Sequence, residues 1–161
     1  MHGSSFSLMG QLISKYDCKG KVLDVGSLDI NGTYRGLFPK PKFEYVGFDV
    51  VPGVNVDVVA TNSYSWGFYE DFDICISGQT LEHVEFFWLT MQEMAKSLKL
   101  GGLLFLIAPG AGEYHPCPVD CWRFNPDGLL ALARWAAMNV LECGQTNSYW
   151  RDTYLVATKI K

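Results

Sequence analysis

The sequence predicts an α/β fold built on a mainly parallel sheet, and three observations carry that prediction. Short, nearly continuous apolar runs at Val22–Gly26, Phe72–Ser77 and Leu103–Ala108 have the patterning of strands covered on both faces. Between such runs lie segments whose apolar residues recur at three and four, as on the buried side of a helix. The chain then closes on two consecutive strand patterns, Val140–Cys143 and Tyr154–Ile160, with no helix between them, which predicts an antiparallel hairpin at one edge.

Residues 1–5 are small and polar and are expected to be loose. Phe6, Leu8, Met9, Leu12, Ile13 and Tyr16 have helical spacing, so a short amphipathic helix is expected over 6–16. Val22-Leu23-Asp24-Val25-Gly26 is the first strand, and Ser27–Thr33 is a polar turn at its end. Tyr34–Phe38 is long enough only for a short helix before Pro39 and Pro41. Tyr45–Asp49 is the second strand, Val51–Asn55 is too broken for a helix, and Val56–Ala60 is the third strand. Phe72–Ser77 is the fourth. Thr80 is positioned to cap a helix with Val84, Phe87, Trp88, Met91, Ala95 and Leu98 on its apolar side, closed by Gly101-Gly102. Leu103–Ala108 is the fifth strand, 109–124 is a polar and aromatic loop, and Asn125-Pro126 opens a helix bearing Leu129, Leu132, Ala133 and Ala136.

With 161 residues, 48% of them apolar and 19% charged, the chain suffices for one sizeable core, so one domain over 1–161 is expected, with 1–19 its N-terminal helical segment. A net charge of −4 supplies no basic stripe for phosphates, which argues against a nucleic-acid partner. The absence of a long apolar run and of a basic-then-apolar leader predicts a soluble cytoplasmic protein with no membrane partner. Five cysteines, an odd number, are expected to be reduced thiols.

The chemistry gathers at the strand ends. A strand stopping at Gly26 leaves loop N–H groups free to face a ligand, and a second strand ends in Asp49, where a carboxylate can accept from both hydroxyls of a ribose. The alternative for Asp49 is a carboxylate that caps its own turn. Together the two strands suggest a nucleoside site.

The ordered set Val22-Leu23-Asp24-Val25-Gly26, Gly47-Phe48-Asp49, Phe72–Ser77, Leu81-Glu82-His83-Val84 and Leu98–Gly102 resembles class I S-adenosylmethionine-dependent methyltransferases, most of all the small-molecule group with a Leu-Glu-His-Val step. The resemblance spans residues 20–160 and extends to His115-Pro116, Trp122-Arg123-Phe124 and Pro126–Leu129. It implies a Rossmann-like methyltransferase fold: a seven-stranded, mainly parallel sheet flanked by helices, its antiparallel last strand inserted beside the fifth. It implies S-adenosylmethionine as cofactor and S-adenosylhomocysteine as product. Gly26 and Ser27, with Leu28 behind them, would line the methionine part, Asp49 the ribose and Val50 the adenine; Thr61 and Asn62 would meet the adenine amino group, and Ser77, Gly78 and Gln79 the sulfonium side. Three departures stand out. Gly26 and Gly32 replace a tighter glycine cluster, Thr61 stands where an acid is usual, and the helix after the second strand is missing.

A sulfonium methyl is already electrophilic, so holding a nucleophile in line supplies much of the rate, and a base is needed only for an acceptor that must lose a proton. His115 and His83 are the candidates; the alternatives are an exposed loop histidine for His115 and a packing or capping role for His83. Asp120 and Arg123 either bind substrate or pair with each other, and the pairing is favoured. Tyr114, Trp122 and Trp150 line a pocket or belong to the core. His115, Cys117, Cys121 and Cys143 lack the paired-cysteine spacing of a zinc site, so no metal is expected. The expected activity is methyl transfer to an oxygen or nitrogen of a small molecule, with a second copy or an attached enzyme completing the substrate side. The reading from another class is a non-catalytic S-adenosylmethionine-binding module or partner subunit.

Overall fold

The computed structural model describes residues 3–160. In chain order the elements are helix α1 (Gly3–Lys15), strands β1 (Gly20–Val25), β2 (Phe43–Asp49), β3 (Val58–Val59) and β4 (Phe72–Gly78), helix α2 (Phe87–Ser97), strand β5 (Leu98–Ala108), helix α3 (Pro126–Trp135), and strands β6 (Met138–Gln145) and β7 (Thr153–Lys159). Single 3-10 turns lie at Arg35–Leu37 and Leu81–His83. The seven strands form one sheet in the order β3-β2-β1-β4-β5-β7-β6. The first five strands pair parallel, and β7 runs antiparallel to both β5 and β6. The antiparallel last strand beside the fifth is therefore present.

Period-2 alternation explains why the central strands read as unbroken apolar runs. Leu23 and Val25, Cys75, and Leu104 and Leu106 enter the core beneath α2 and α3. Val22, Ile74 and Ile76, and Phe105 and Ile107 enter the core on the opposite face, beneath Met9, Leu12 and Ile13 of α1.

The helix expected from Thr80 is broken. Leu81–His83 form one 3-10 turn, Val84 is extended at ψ 117°, and α2 begins only at Phe87. The reason is competition for carbonyls: Glu82 O accepts from Cys121 N at 2.7 Å, and Val84 O accepts from Trp122 Nε1 at 3.0 Å. Those oxygens would otherwise serve the i+4 bonds of a continuous helix. Gly101-Gly102 does not close a helix either; it lies inside β5, which starts directly after α2 at Leu98. The β4–β5 register slips there, from Phe72↔Leu98 to Ile74↔Leu103, and Gly101 takes φ +79°, so the pair serves a bulge.

Several boundaries shift. The third strand shrinks to Val58–Val59, and β6 and β7 start earlier than their apolar cores. Helix α1 begins at Gly3 within the segment expected to be loose, because Ser5 is buried against Tyr34 and Ser4 Oγ donates to Asp152 at 2.8 Å; Met1 and His2 lie outside the described residues. Asn125 occupies the N-cap of α3 with Pro126 following, yet its side chain makes no cap bond.

Candidate functional site

Because β1, β2, β3 and β4 are parallel, their carboxyl ends share one rim, and the turns after them carry most of the sequence-picked residues. At β1 the chain turns through Gly26 at φ +79°. A Cβ built there would lie 2.2 Å from Thr80 Oγ1, so the space beside this glycine is taken by the protein's own side chain. Ser27 is buried, with its hydroxyl on Asn55 O and its carbonyl accepting from Asn55 Nδ2 at 2.8 Å. Leu28 N donates to Asp49 Oδ2 at 3.0 Å, and Val51 N to Asp49 Oδ1 at 3.2 Å. The Asp49 carboxylate thus sits between the first two strand ends, with Val50 beside it 52% exposed.

Thr61 and Asn62 are exposed on the next turn, where Asn62 Oδ1 accepts from Tyr64 N at 2.8 Å. Ser77 does not reach the surface. It is fully buried and its hydroxyl donates to Val25 O at 2.9 Å, tying β4 to β1. Gly78 is overlain by Tyr34, whose hydroxyl would lie 2.1 Å from an added Cβ. Gln79, at φ +57°, donates from Nε2 to Asp152 at 2.9 Å, while its Oε1 is buried with no partner among the described residues.

A second cluster lies where the turn after β4 meets the 110–124 loop. The His83 and His115 rings meet edge to face at 5.1 Å. His83 Nδ1 lies 2.6 Å from Val119 O, and burial lowers the pKa of this imidazole. His115 Nδ1 lies 2.8 Å from Glu113 O, and its ring packs on Trp150 at 5.1 Å. Asp120 and Arg123 do pair, in a fork with Nη1–Oδ1 at 2.6 Å and Nη2–Oδ2 at 2.8 Å. That hydrogen-bonded guanidinium holds the Asp120 carboxyl well below the usual range. Asp120 also accepts from His115 N at 2.8 Å, so the pair fixes the loop that carries the histidine. Cys117 and Cys121 are exposed, and all five cysteines are free.

Two buried acids escaped the sequence reading as site components. Asp24, in the middle of β1, accepts from the Tyr45 hydroxyl, and burial pushes its carboxyl up to about 7. Glu82 is buried with neither oxygen in a hydrogen bond of good geometry among the described residues, and burial pushes its carboxyl up to about 8, partly offset by its own backbone N–H. Its position inside Leu81-Glu82-His83-Val84 was the available signal.

Comparison with known proteins bears on the family and the fold. The family model described as a methyltransferase domain matches residues 23–106, just over half of the chain. Comparison with curated proteins finds no match. Among solved structures, a Burkholderia thailandensis 1,6-didemethyltoxoflavin-N1-methyltransferase, with 1,6-didemethyltoxoflavin and S-adenosylhomocysteine bound, superposes with TM-score 0.79 at 13% identity, over 98% of this chain and 79% of that one. A Bacillus halodurans protein described as a methyltransferase gives TM-score 0.73 at 15% identity, over 99% of this chain and all of that one, 100%. The [4+2]-cyclase SpnF gives 0.71 at 15% identity, over 95% and 80%. At these identities the likeness is one of fold.

Proposed function

Because the chain belongs to the methyltransferase-domain family, we propose that it binds S-adenosylmethionine along the carboxyl rim and transfers the methyl group to an oxygen or nitrogen of a small molecule. The observation that carries the reading is the Asp49 carboxylate at the end of β2, one bond from the β1 turn through Leu28 N. Two backbone donors use part of its acceptor capacity and leave lone pairs for two vicinal hydroxyls. Exposed Val50 offers an apolar face to an adenine, with Thr61 and Asn62 on the adjoining turn. Gln79 Oε1, without a hydrogen-bond partner among the described residues, is an acceptor suited to an ammonium group, so the residues present fit the cofactor. Gly26, Ser27 and Leu28 shape the turn, Gly78 allows Tyr34 to close over β4, and Ser77 holds the strand beneath.

The cofactor supplies a sulfonium-activated methyl group; the chain supplies orientation. His115 is the proposed base. Its Nδ1 faces a carbonyl, which only an N–H can do favourably, so the lone pair that takes the acceptor's proton is on Nε2. His83, kept neutral by burial and tethered to Val119, orients it. Exposed Tyr114, Trp122 and Tyr149 around this loop form a surface that a second copy or an attached enzyme would cover to finish the acceptor pocket. The reading treats 1–161 as one cofactor-binding unit in the cytoplasm, where free thiols persist. Among the described residues no helix is long and apolar enough to cross a membrane.

SpnF shares this fold and is named a cyclase, which gives the non-catalytic or non-transferring reading its support. Calorimetry with S-adenosylmethionine and S-adenosylhomocysteine, followed by a labelled-methyl screen over small hydroxyl and amine acceptors, separates the readings. Binding of both with label transfer is expected, and His115→Ala should slow transfer at unchanged cofactor affinity. Binding without transfer to any acceptor would favour the module, and no binding of either nucleoside would sink both.

A further inference from the structure

The carboxylate of Glu82 and the imidazoles of His83 and His115 each place a ligand atom within 4.8 Å of the other two. Two features separate this trio from a chance surface group. The Glu82 side chain is 1% exposed and, among the described residues, neither oxygen has a hydrogen-bond partner of good geometry, a costly state for a buried carboxyl that its own backbone N–H and the Arg123 charge offset only in part. Both imidazoles, moreover, spend Nδ1 on a backbone carbonyl: His83 on Val119 O at 2.6 Å and His115 on Glu113 O at 2.8 Å. Nδ1 therefore carries the proton in each ring and Nε2 carries the lone pair. That backbone tether is the outer-shell arrangement that orients a metal-binding histidine. Arg123 Nη2 also approaches His115 Nδ1, at 3.3 Å, but this is the longer contact and the guanidinium is already spent on Asp120 and Glu113 O.

We propose that Glu82, His83 and His115 bind a first-row divalent transition-metal cation. Two imidazoles and one carboxylate suit zinc, cobalt or manganese rather than the all-oxygen shells of calcium and magnesium. His83 Nε2 lies 3.7 Å from Glu82 Oε1, too far for a hydrogen bond and near the span that a shared cation bridges. With bonds of about 2.1 Å, ligand atoms around a tetrahedral ion stand roughly 3.4 Å apart, so separations that are all within 4.8 Å need close by no more than about 1.4 Å, a side-chain adjustment. Three protein ligands leave coordination positions open. The site's existence does not depend on methyl transfer; its part in transfer rests on the reading above and replaces the base in it, because a His115 Nε2 bound to a cation has no lone pair left for a proton, and an acceptor oxygen in an open position would instead be acidified by the cation and lose its proton to water.

Cobalt(II) alone, titrated into the chelator-stripped, tag-free chain, tests the site through visible d–d absorption and calorimetry. One equivalent should bind, and Glu82→Gln, His83→Ala and His115→Ala should each weaken binding at least about tenfold. Cys117→Ser/Cys121→Ser should bind like the parent, since the exposed thiols are outside the trio. Melting curves without metal report folding: Glu82→Gln keeps the packing and should melt no lower than the parent, so its loss of cobalt is interpretable even if a histidine variant unfolds. Parent-like cobalt binding by Glu82→Gln, loss of binding in the cysteine variant, or no binding by the parent would each overturn the proposal. S-adenosylhomocysteine affinity, measured on the same samples, should be unchanged, so failure here and failure of the cofactor reading are separate results.

Discussion

Asp49 Oδ2 accepts from the backbone N–H of Leu28 at 3.0 Å, joining the end of β2 to the turn that leaves β1. The bond sets two links at once, because it orders the turn and fixes the carboxylate where a ribose is proposed to lie. Asp49→Ala removes both. Hydrogen bonds to a charged group contribute about 1.5–3 kcal/mol, so S-adenosylhomocysteine affinity should fall by roughly 10- to 150-fold. Calorimetry that finds the variant binding like the parent would remove Asp49 from the site.

Gly26 is required by geometry on two counts. Its φ of +79° is unfavourable for any side chain, and Thr80 Oγ1 lies 2.2 Å from where a Cβ would stand. Gly26→Ala should lose about 2 kcal/mol or more in urea unfolding. Adding Thr80→Gly removes the collision but not the backbone strain, so the double variant should recover only part of the loss. Full recovery would show that φ carries no cost.

Much of this frame was legible from local pattern. Strand β1, its glycine turn and Asp49 are specified by residues adjacent in sequence, and the two terminal strands announced the antiparallel edge by lacking a helix between them. What escaped depends on distant partners. No local rule places Trp122 Nε1 on the Val84 carbonyl, yet that bond and Cys121 N on Glu82 O break the expected helix and set Glu82 beside His83. Ser77 looked like a rim residue because it ends a strand, but it is Val25 O on the neighbouring strand that turns its hydroxyl inward. Gly101-Gly102 carries the composition of a helix stop, and only the β4 register reveals it as a bulge.

The Asp120–Arg123 fork makes a pH-dependent contribution of ordinary sign. The folded carboxyl lies below its free value of 3.8, so the stabilisation is present above about pH 4 and is lost as pH falls through the lower folded value. Asp120→Asn should destabilise the chain by about 1–3 kcal/mol at pH 7, with the difference from the parent shrinking below pH 4. Urea unfolding at both pH values measures it. An equal difference at neutral and acid pH would mean that shape, not charge, holds the 110–124 loop.

Asp24 predicts the opposite slope. Burial puts its folded carboxyl at about 7, against 3.8 when free, despite the Tyr45 hydroxyl and the Arg35 charge that favour ionisation. Between those values the folded state keeps a proton that the unfolded chain has released, so this group makes stability fall as pH rises from about 4 to about 7 and then level off. Glu82, pushed up to about 8, acts in the same sense. Asp24→Asn keeps an acceptor for Tyr45 but has no proton to lose, so it should gain on the parent steadily across that interval, and adding Glu82→Gln should flatten the curve further. Unfolding followed from pH 4 to pH 8 decides the matter: parallel curves for parent and Asp24→Asn would mean that the carboxyl ionises in the fold as easily as in water, and that its contact with Tyr45 and its surroundings exact no cost.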